Sequence, residues 1–137
     1  MLARLVVAGL LLAHAAIHVS FLVPSPPATA DGPAWPFAID HSALLGRLGV
    51  DAGLARLLAL ALVAVTLGAF GTAALVVLGI APFWLWSPAI VSGAAASLVL
   101  LVTFFHPWLV LGVAIDVALI WASLVLDWTP GSASPEV

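Results

Sequence analysis

Residues 2–23, LARLVVAGLLLAHAAIHVSFLV, form an apolar run with one arginine near its start and two histidines toward its end. A helix rises about 1.5 Å per residue, so about 20 apolar residues are needed to cross a hydrocarbon core about 30 Å thick. The run meets that requirement. We therefore predict that it forms a membrane-spanning helix.

Three later stretches have a similar length and character. They are residues 57–80, 88–105 and 108–126. Ser87 and Pro88 favour a third helix that begins at this point, with the serine as its cap and the proline in its first position. The predicted fold is all-α: a membrane-spanning four-helix bundle that forms a single domain over residues 1–137.

The connections between the predicted spans differ in character. Residues 24–36 contain five prolines, which predicts an irregular loop. In residues 40–54, leucines alternate with charged residues at near-helical spacing, which predicts a short interfacial helix that runs into the second span. The later connections, residues 81–87 and 106–107, are short. They make the last three spans antiparallel neighbours.

The overall composition also indicates a membrane protein. Hydrophobic residues make up 65% of the chain and charged residues 7%, with a mean hydropathy of +1.32, whereas about a quarter of the residues in soluble domains are charged. Three arginines, no lysine and a formal charge of −3 exclude the basic patch that nucleic acid or docking on anionic lipid requires. The predicted partners are the lipid bilayer and either other membrane subunits or a second copy. The absence of cysteine excludes thiolate metal sites and disulfide exchange.

The expected location is the inner membrane of a bacterium, because the abundance of Ala, Val, Leu and Gly without Lys is typical of GC-rich bacterial genomes. Arg4 and the amino terminus favour a cytoplasmic N-terminus, whereas Arg47 and Arg56 favour the opposite orientation; we expect the N-terminus inside. A cleaved signal peptide is the alternative for the first span, since residues 28–30 form an A-x-A site. The length of the run and its two histidines count against that alternative.

Two histidines and one aspartate lie deep in the predicted spans. His14 and His18 are four residues apart, so they share one helix face at a separation of about 6 Å. His14 lies nine residues from Val23, and Asp116 lies nine residues from Pro107, so both are roughly 13 Å from the same membrane face. A carboxyl group at that depth either stays protonated or finds a cation or a hydrogen-bond donor. We therefore expect His14 and Asp116 to meet, provided that the first and last spans are adjacent.

All four histidines fall in the same half of the membrane, which leaves three interpretations open. The first is a metal site built from His14, His18, His106 and His41. A transition metal is preferred over haem there, because His14 and His18 share one helix face and cannot ligate a haem from opposite sides. The second is a proton relay through Asp116, His14 and Asp40. The third is a structural polar network.

Small residues spaced four apart predict close approach between the spans. Gly9 with Ala13, Gly93 with Ser97, and Gly112 with Asp116 follow this spacing, and Gly68 and Gly71 lie near one another in the second span. Gly112 has a second interpretation, as space for a ligand beside Asp116.

Motifs for known catalytic chemistry are absent from the sequence. It contains no G-x-S-x-G, no H-E-x-x-H, no phosphate-binding glycine loop and no tyrosine. The sequence does not decide whether the protein is an enzyme. The predicted function is an accessory or structural membrane subunit, with metal handling and proton-coupled or passive transport of a small solute as alternatives.

The order and spacing of four features along the chain resemble those of a known group of membrane proteins. The chain combines H-x3-H in its first span (His14, His18), a proline-rich loop, two middle spans free of charge, and L-G-x3-D in its last span (Leu111, Gly112, Asp116). In this arrangement it resembles small uncharacterised four-helix bacterial membrane proteins, DoxX-like in plan. The resemblance covers nearly the whole chain and implies the four-helix fold. It implies no activity, and the charged helix-end positions associated with DoxX proteins are not evident here.

Overall fold

The computed structural model describes residues 1–26, 35–39, 42–126 and 128–129, and this part of the chain is helical without strands. Its helices are α1 (Leu2–Ile17), α2 (Ala43–Arg47), α3 (Ala52–Val77), α4 (Trp86–Thr103) and α5 (Val110–Leu124). Short 3₁₀ turns extend three of them, so that the long apolar helices cover Leu2–Leu22, Ala52–Val77, Phe83–Thr103 and Pro107–Leu124. Each is long enough to cross a membrane. The predicted all-α architecture with four spans is confirmed.

The second span begins earlier than the sequence predicted. Its helix, α3, starts at Ala52 because Oδ1 of Asp51 accepts the backbone N–H of Leu54 at 3.0 Å and so caps the helix. Beyond Val77, Gly79 has a φ of 78°, a conformation that glycine adopts readily and that commonly follows a helix end. Because α3 starts at Ala52, its first turns include Arg56, which the predicted span left just outside.

The short helix between the first two spans is present as α2, but it does not continue into α3. Oγ of Ser42 accepts the N–H of Leu45 at 3.1 Å and caps α2. Gly49, with a φ of 70°, then breaks the helix before Asp51 starts the next one. The prediction of one continuous helix here was wrong, because leucine spacing does not reveal the glycine turn within it. The Ser42 hydroxyl also donates to Thr103 O at 2.6 Å, which ties α2 to the end of α4.

The predicted start of the third span was also wrong. Helix α4 begins at Trp86 after a 3₁₀ turn, and no side chain caps it. Pro88 lies within the first turn, where its missing N–H costs no intrahelical bond. The Ser87 hydroxyl lies 3.1 Å from that of Ser123, so it joins α4 to α5 and does not cap α4.

Helix α3 lies between α1 and α4, and α4 also packs against α5. Gly93 permits the close approach of α3 and α4, since a Cβ there would lie 3.1 Å from the Cβ of Ala69. A Cβ on Gly112 would likewise lie 2.9 Å from Cδ1 of Leu101, so this glycine serves packing, and its interpretation as space for a ligand stays a prediction. The small-residue prediction holds at these two positions. It was wrong at the remaining glycines that it named, Gly9, Gly68 and Gly71, where a Cβ would meet nothing within 4 Å.

The bundle contains two apolar clusters, one toward each end. The first includes Leu11 and Phe70, and the second includes Phe21 and Leu100. Many large apolar side chains lie on the outer surface of all four spans, and Trp121 is among them. This outer surface suits lipid, and the polar side chains described next lie between the two clusters.

Candidate functional site

Four polar side chains meet inside the bundle, and we call them the buried network: His14, His18, Ser97 and Asp116. They come from α1, the 3₁₀ turn that follows it, α4 and α5. Ser97 and Asp116 are fully buried, His18 is 2% exposed and His14 is 7% exposed. Three of the four long helices thus contribute to one site that is closed to solvent and lipid.

Hydrogen bonds connect the four side chains in a chain. His14 Nε2 lies 2.8 Å from Asp116 Oδ1. The other carboxyl oxygen, Oδ2, is hydrogen-bonded to the Ser97 hydroxyl, and that hydroxyl lies 2.7 Å from His18 Nε2. His18 Nδ1 is 3.0 Å from the carbonyl oxygen of His14, which returns the chain to its starting residue.

The predicted meeting of His14 and Asp116 is confirmed by the distance between their side chains. The predicted sharing of one helix face by His14 and His18 is also confirmed, since their ring centroids are 5.2 Å apart. The prediction assumed that the first and last spans, α1 and α5, lie next to each other. Helices α1 and α5 are not among the closely packed pairs of the described residues, so the His14 imidazole and the Asp116 carboxyl group bridge the distance between them.

The acceptor at each bond restricts where the protons lie. The His14 carbonyl can only accept, so His18 Nδ1 carries a hydrogen and donates to it. In one arrangement His18 Nε2 also carries a hydrogen, which makes His18 a cation, and Ser97 donates to the Asp116 carboxylate. In the other, Asp116 is a carboxylic acid that donates to Ser97, and Ser97 donates to His18 Nε2.

These two arrangements differ by one proton, which moves between Asp116 and His18 through the Ser97 hydroxyl. The first contains a buried ion pair, whereas the second contains no charge. Taking charges out of water costs several kcal/mol per ion unless their pairing compensates. The chemistry available to the network is proton transfer over a short distance.

Two polar residues of this region, Ser97 and Thr66, were not predicted from the sequence as site residues. Ser97 was noted only as a small residue beside Gly93, and Thr66 was not noted at all. Thr66 is fully buried, and its hydroxyl has no hydrogen-bond partner among the described residues. It lies one helical turn before Phe70, whose ring is 5.3 Å from that of His14, which places it on the side of α3 nearest α1. A hydroxyl at mid-span was the available signal for both residues.

The remaining predicted site residues do not join the network where they are described. His106 Nδ1 accepts the backbone N–H of Trp108 at 3.3 Å, so this histidine caps the turn before α5. Asp40 and His41 lie outside the described residues, as does the A-x-A sequence at residues 28–30.

Metal ligation is not favoured by the described geometry. Within residues 1–26, 35–39, 42–126 and 128–129, no three His, Asp or Glu side chains are grouped so that they could hold a metal ion. Both ring nitrogens of His18 and Nε2 of His14 are engaged in hydrogen bonds. The metal site and the choice between a transition metal and haem stay predictions.

Comparison with known proteins returned no relative: no family model, no curated protein and no solved structure matches the chain. The resemblance to DoxX-like proteins therefore stays a prediction, and the buried network is the basis on which a function is proposed.

Proposed function

We propose that this protein is a structural or accessory membrane subunit in which the buried network holds the first and last spans together. The observation that carries the proposal is the bond between His14 Nε2 and Asp116 Oδ1 at 2.8 Å, across two helices that do not pack closely against each other. In lipid, apolar side chains gain little from helix association, so interhelical hydrogen bonds and close packing determine which helices stay together.

The burial pattern of α5 supports the same proposal. Its buried residues are Asp116 and Ser123, which are both polar and both hydrogen-bonded to other helices. Its outward side chains, such as Leu111 and Trp121, are more than half exposed. Polar contacts therefore add to the packing against α4 in positioning α5 in the bundle.

A role within the membrane also agrees with how little polar surface the chain has. The connections after α3 are short, and the sequence contains no recognised catalytic motif. We therefore propose that its partners are other membrane subunits or a second copy of the chain. In this role the network keeps the outer surface of the bundle in one defined shape.

Distance measurement between spin labels tests the proposal directly, because the chain has no cysteine of its own. Cysteines at Leu10 on α1 and Val117 on α5, both more than half exposed, carry the labels in detergent or nanodiscs. We expect one narrow distance distribution in the otherwise unchanged protein. Asp116→Ala broadens it, while Asp116→Asn broadens it less, because the amide oxygen still accepts from His14.

A second labelled pair serves as the control. Cysteines at Leu60 on α3 and Val99 on α4 report on helices that pack through apolar contacts. That distribution stays narrow in Asp116→Ala if the network acts on α1 and α5. An unchanged α1–α5 distribution in Asp116→Ala, or equal broadening of both pairs, would contradict the proposal.

A second candidate function, proton-coupled or passive transport, is favoured by one observation: the network permits a proton to move from Asp116 to His18 through Ser97. Ser97→Ala interrupts that path and leaves the bond between His14 and Asp116 in place. In vesicles that contain a pH-sensitive dye, transport predicts proton flux in the wild type that Ser97→Ala abolishes without broadening the label distances. Equal flux in both proteins rejects this candidate.

The metal hypothesis has its own test. Elemental analysis of purified wild type and of the His14→Ala, His18→Ala double variant compares metal content directly. Near-stoichiometric metal in the wild type only would favour a ligand site over the structural role. Equal, substoichiometric metal content in both proteins would reject the metal hypothesis.

A further inference from the structure

A cavity of about 560 Å³ lies beside the proline-rich loop, away from the buried network. Its described lining comes from the end of the first span, including Phe21 and Val23, and from the start of the second, including Gly53 and Arg56. The volume lies within the range of about 300–1,000 Å³ that is typical of pockets for small ligands. Because both spans end or begin here, the cavity lies at the level where hydrocarbon meets headgroups.

The cavity has one cationic side chain and otherwise mostly apolar walls. Arg56 is exposed. The one close approach of a basic and an acidic side chain in the described part of the chain is that of His14 to Asp116, so no described carboxylate pairs with Arg56. Phe21, Val23 and Ile39 supply apolar surface. The nearby acidic residue, Asp51, is held at the start of α3 by its bond to Leu54 N–H.

We infer that this cavity binds one phospholipid, with its phosphate on Arg56 and the adjoining glycerol and acyl carbons against the apolar wall. A guanidinium matches a phosphate in charge and presents paired N–H donors to its oxygens. The position of the cavity at the end of two spans places a bilayer phosphate within reach of this arginine. The inference concerns a single lipid site and is consistent with the absence of a polybasic surface.

The test compares two arginines on the same side of the bundle. Arg56 lines the cavity, whereas Arg47 lies on α2 outside its described lining and is likewise exposed and without a described ion pair. Native mass spectrometry measures the binding of added phosphatidylglycerol to the wild type, Arg56→Gln and Arg47→Gln. We expect Arg56→Gln to weaken the tightest lipid-binding step about tenfold, the effect of losing one charge-assisted contact. Arg47→Gln leaves it unchanged.

Two further probes identify the ligand. Diacylglycerol, which lacks the phosphate, binds the wild type and Arg56→Gln equally if the phosphate is what Arg56 recognises. Inorganic phosphate at millimolar concentration does not displace the phospholipid if the apolar wall contributes. Displacement would identify free phosphate as the ligand and overturn the lipid assignment.

A cavity-filling variant separates the cavity from the charge. Ala52→Trp introduces bulk at the lining and retains Arg56, and we expect it to lose the same lipid-binding step while its thermal unfolding stays close to that of the wild type. Equal weakening by Arg47→Gln and Arg56→Gln, or no change in Arg56→Gln, would overturn the inference.

Discussion

Helices α3 and α5 are attached to the bundle in different ways. Helix α3 buries nine residues, and Thr66 is the single polar one among them. Helix α5 buries two residues, Asp116 and Ser123, and both are polar. The contrast shows that the buried side chains of α3 are mainly apolar, whereas those of α5 are hydrogen-bonded polar groups that add to its packing against α4.

This difference between α3 and α5 follows from the lipid that surrounds the bundle. Apolar side chains on α5 lose little by facing lipid, because acyl chains are as apolar as leucine. A polar side chain on the same helix has no partner in lipid and is stabilised only inside the bundle. The position of α5 therefore depends on the partners of its polar groups as well as on packing against α4, whereas the position of α3 depends mainly on the fit of apolar side chains.

The largest expected loss of stability comes from a substitution that disrupts the packing of α3. Phe70 is fully buried, so Phe70→Ala removes a ring from the core and should lower the free energy of unfolding by about 3–5 kcal/mol. Phe105→Ala is the matched control, since that ring is 58% exposed. Reversible unfolding in detergent measures both variants. A loss as small in Phe70→Ala as in the control would show that packing does not hold α3.

A smaller loss of stability is expected from a substitution that removes the hydrogen bonds of α5. Asp116→Ala removes the partners of His14 Nε2 and of the Ser97 hydroxyl, and hydrogen bonds between helices in a membrane contribute about 0.6–1.7 kcal/mol each. We expect a loss of about 1–3 kcal/mol for the two bonds. Val117→Ala, an exposed neighbour, should change stability by much less. If the two variants unfold alike, α5 is not held by its polar contacts.

The smallest expected effect concerns the one buried polar residue of α3, and here the substitution should stabilise the protein or leave its stability unchanged. The Thr66 hydroxyl is buried and finds no hydrogen-bond partner in the described part of the chain, and valine has the same shape without that polar group. Thr66→Val should therefore leave stability unchanged or raise it by about 1 kcal/mol. Thermal unfolding in detergent measures the change. A clear loss would show that the hydroxyl has a partner in the membrane and that α3 also depends on a polar contact.

The spans were predictable from the sequence because hydrophobic length alone identifies them. The depth of His14 and of Asp116 was predictable in the same way, since depth is a count of residues from a span end. Helix starts were less predictable: the Asp51 cap and the break at Gly49 depend on local backbone geometry that hydrophobic spacing does not encode. Ser97 was missed because serine is common in packed membrane helices and its partners lie on other helices.

The sequence by itself determined that the chain forms four apolar helices and that two histidines and one carboxylate lie deep within them. These are properties of composition and of spacing along single helices. Only the tertiary structure decided that Ser97 connects Asp116 to His18, that His106 lies apart from them, and that α1 and α5 meet through side chains. The reason is physical: hydrogen bonds between spans depend on the rotation and separation of helices, which packing against neighbouring helices sets.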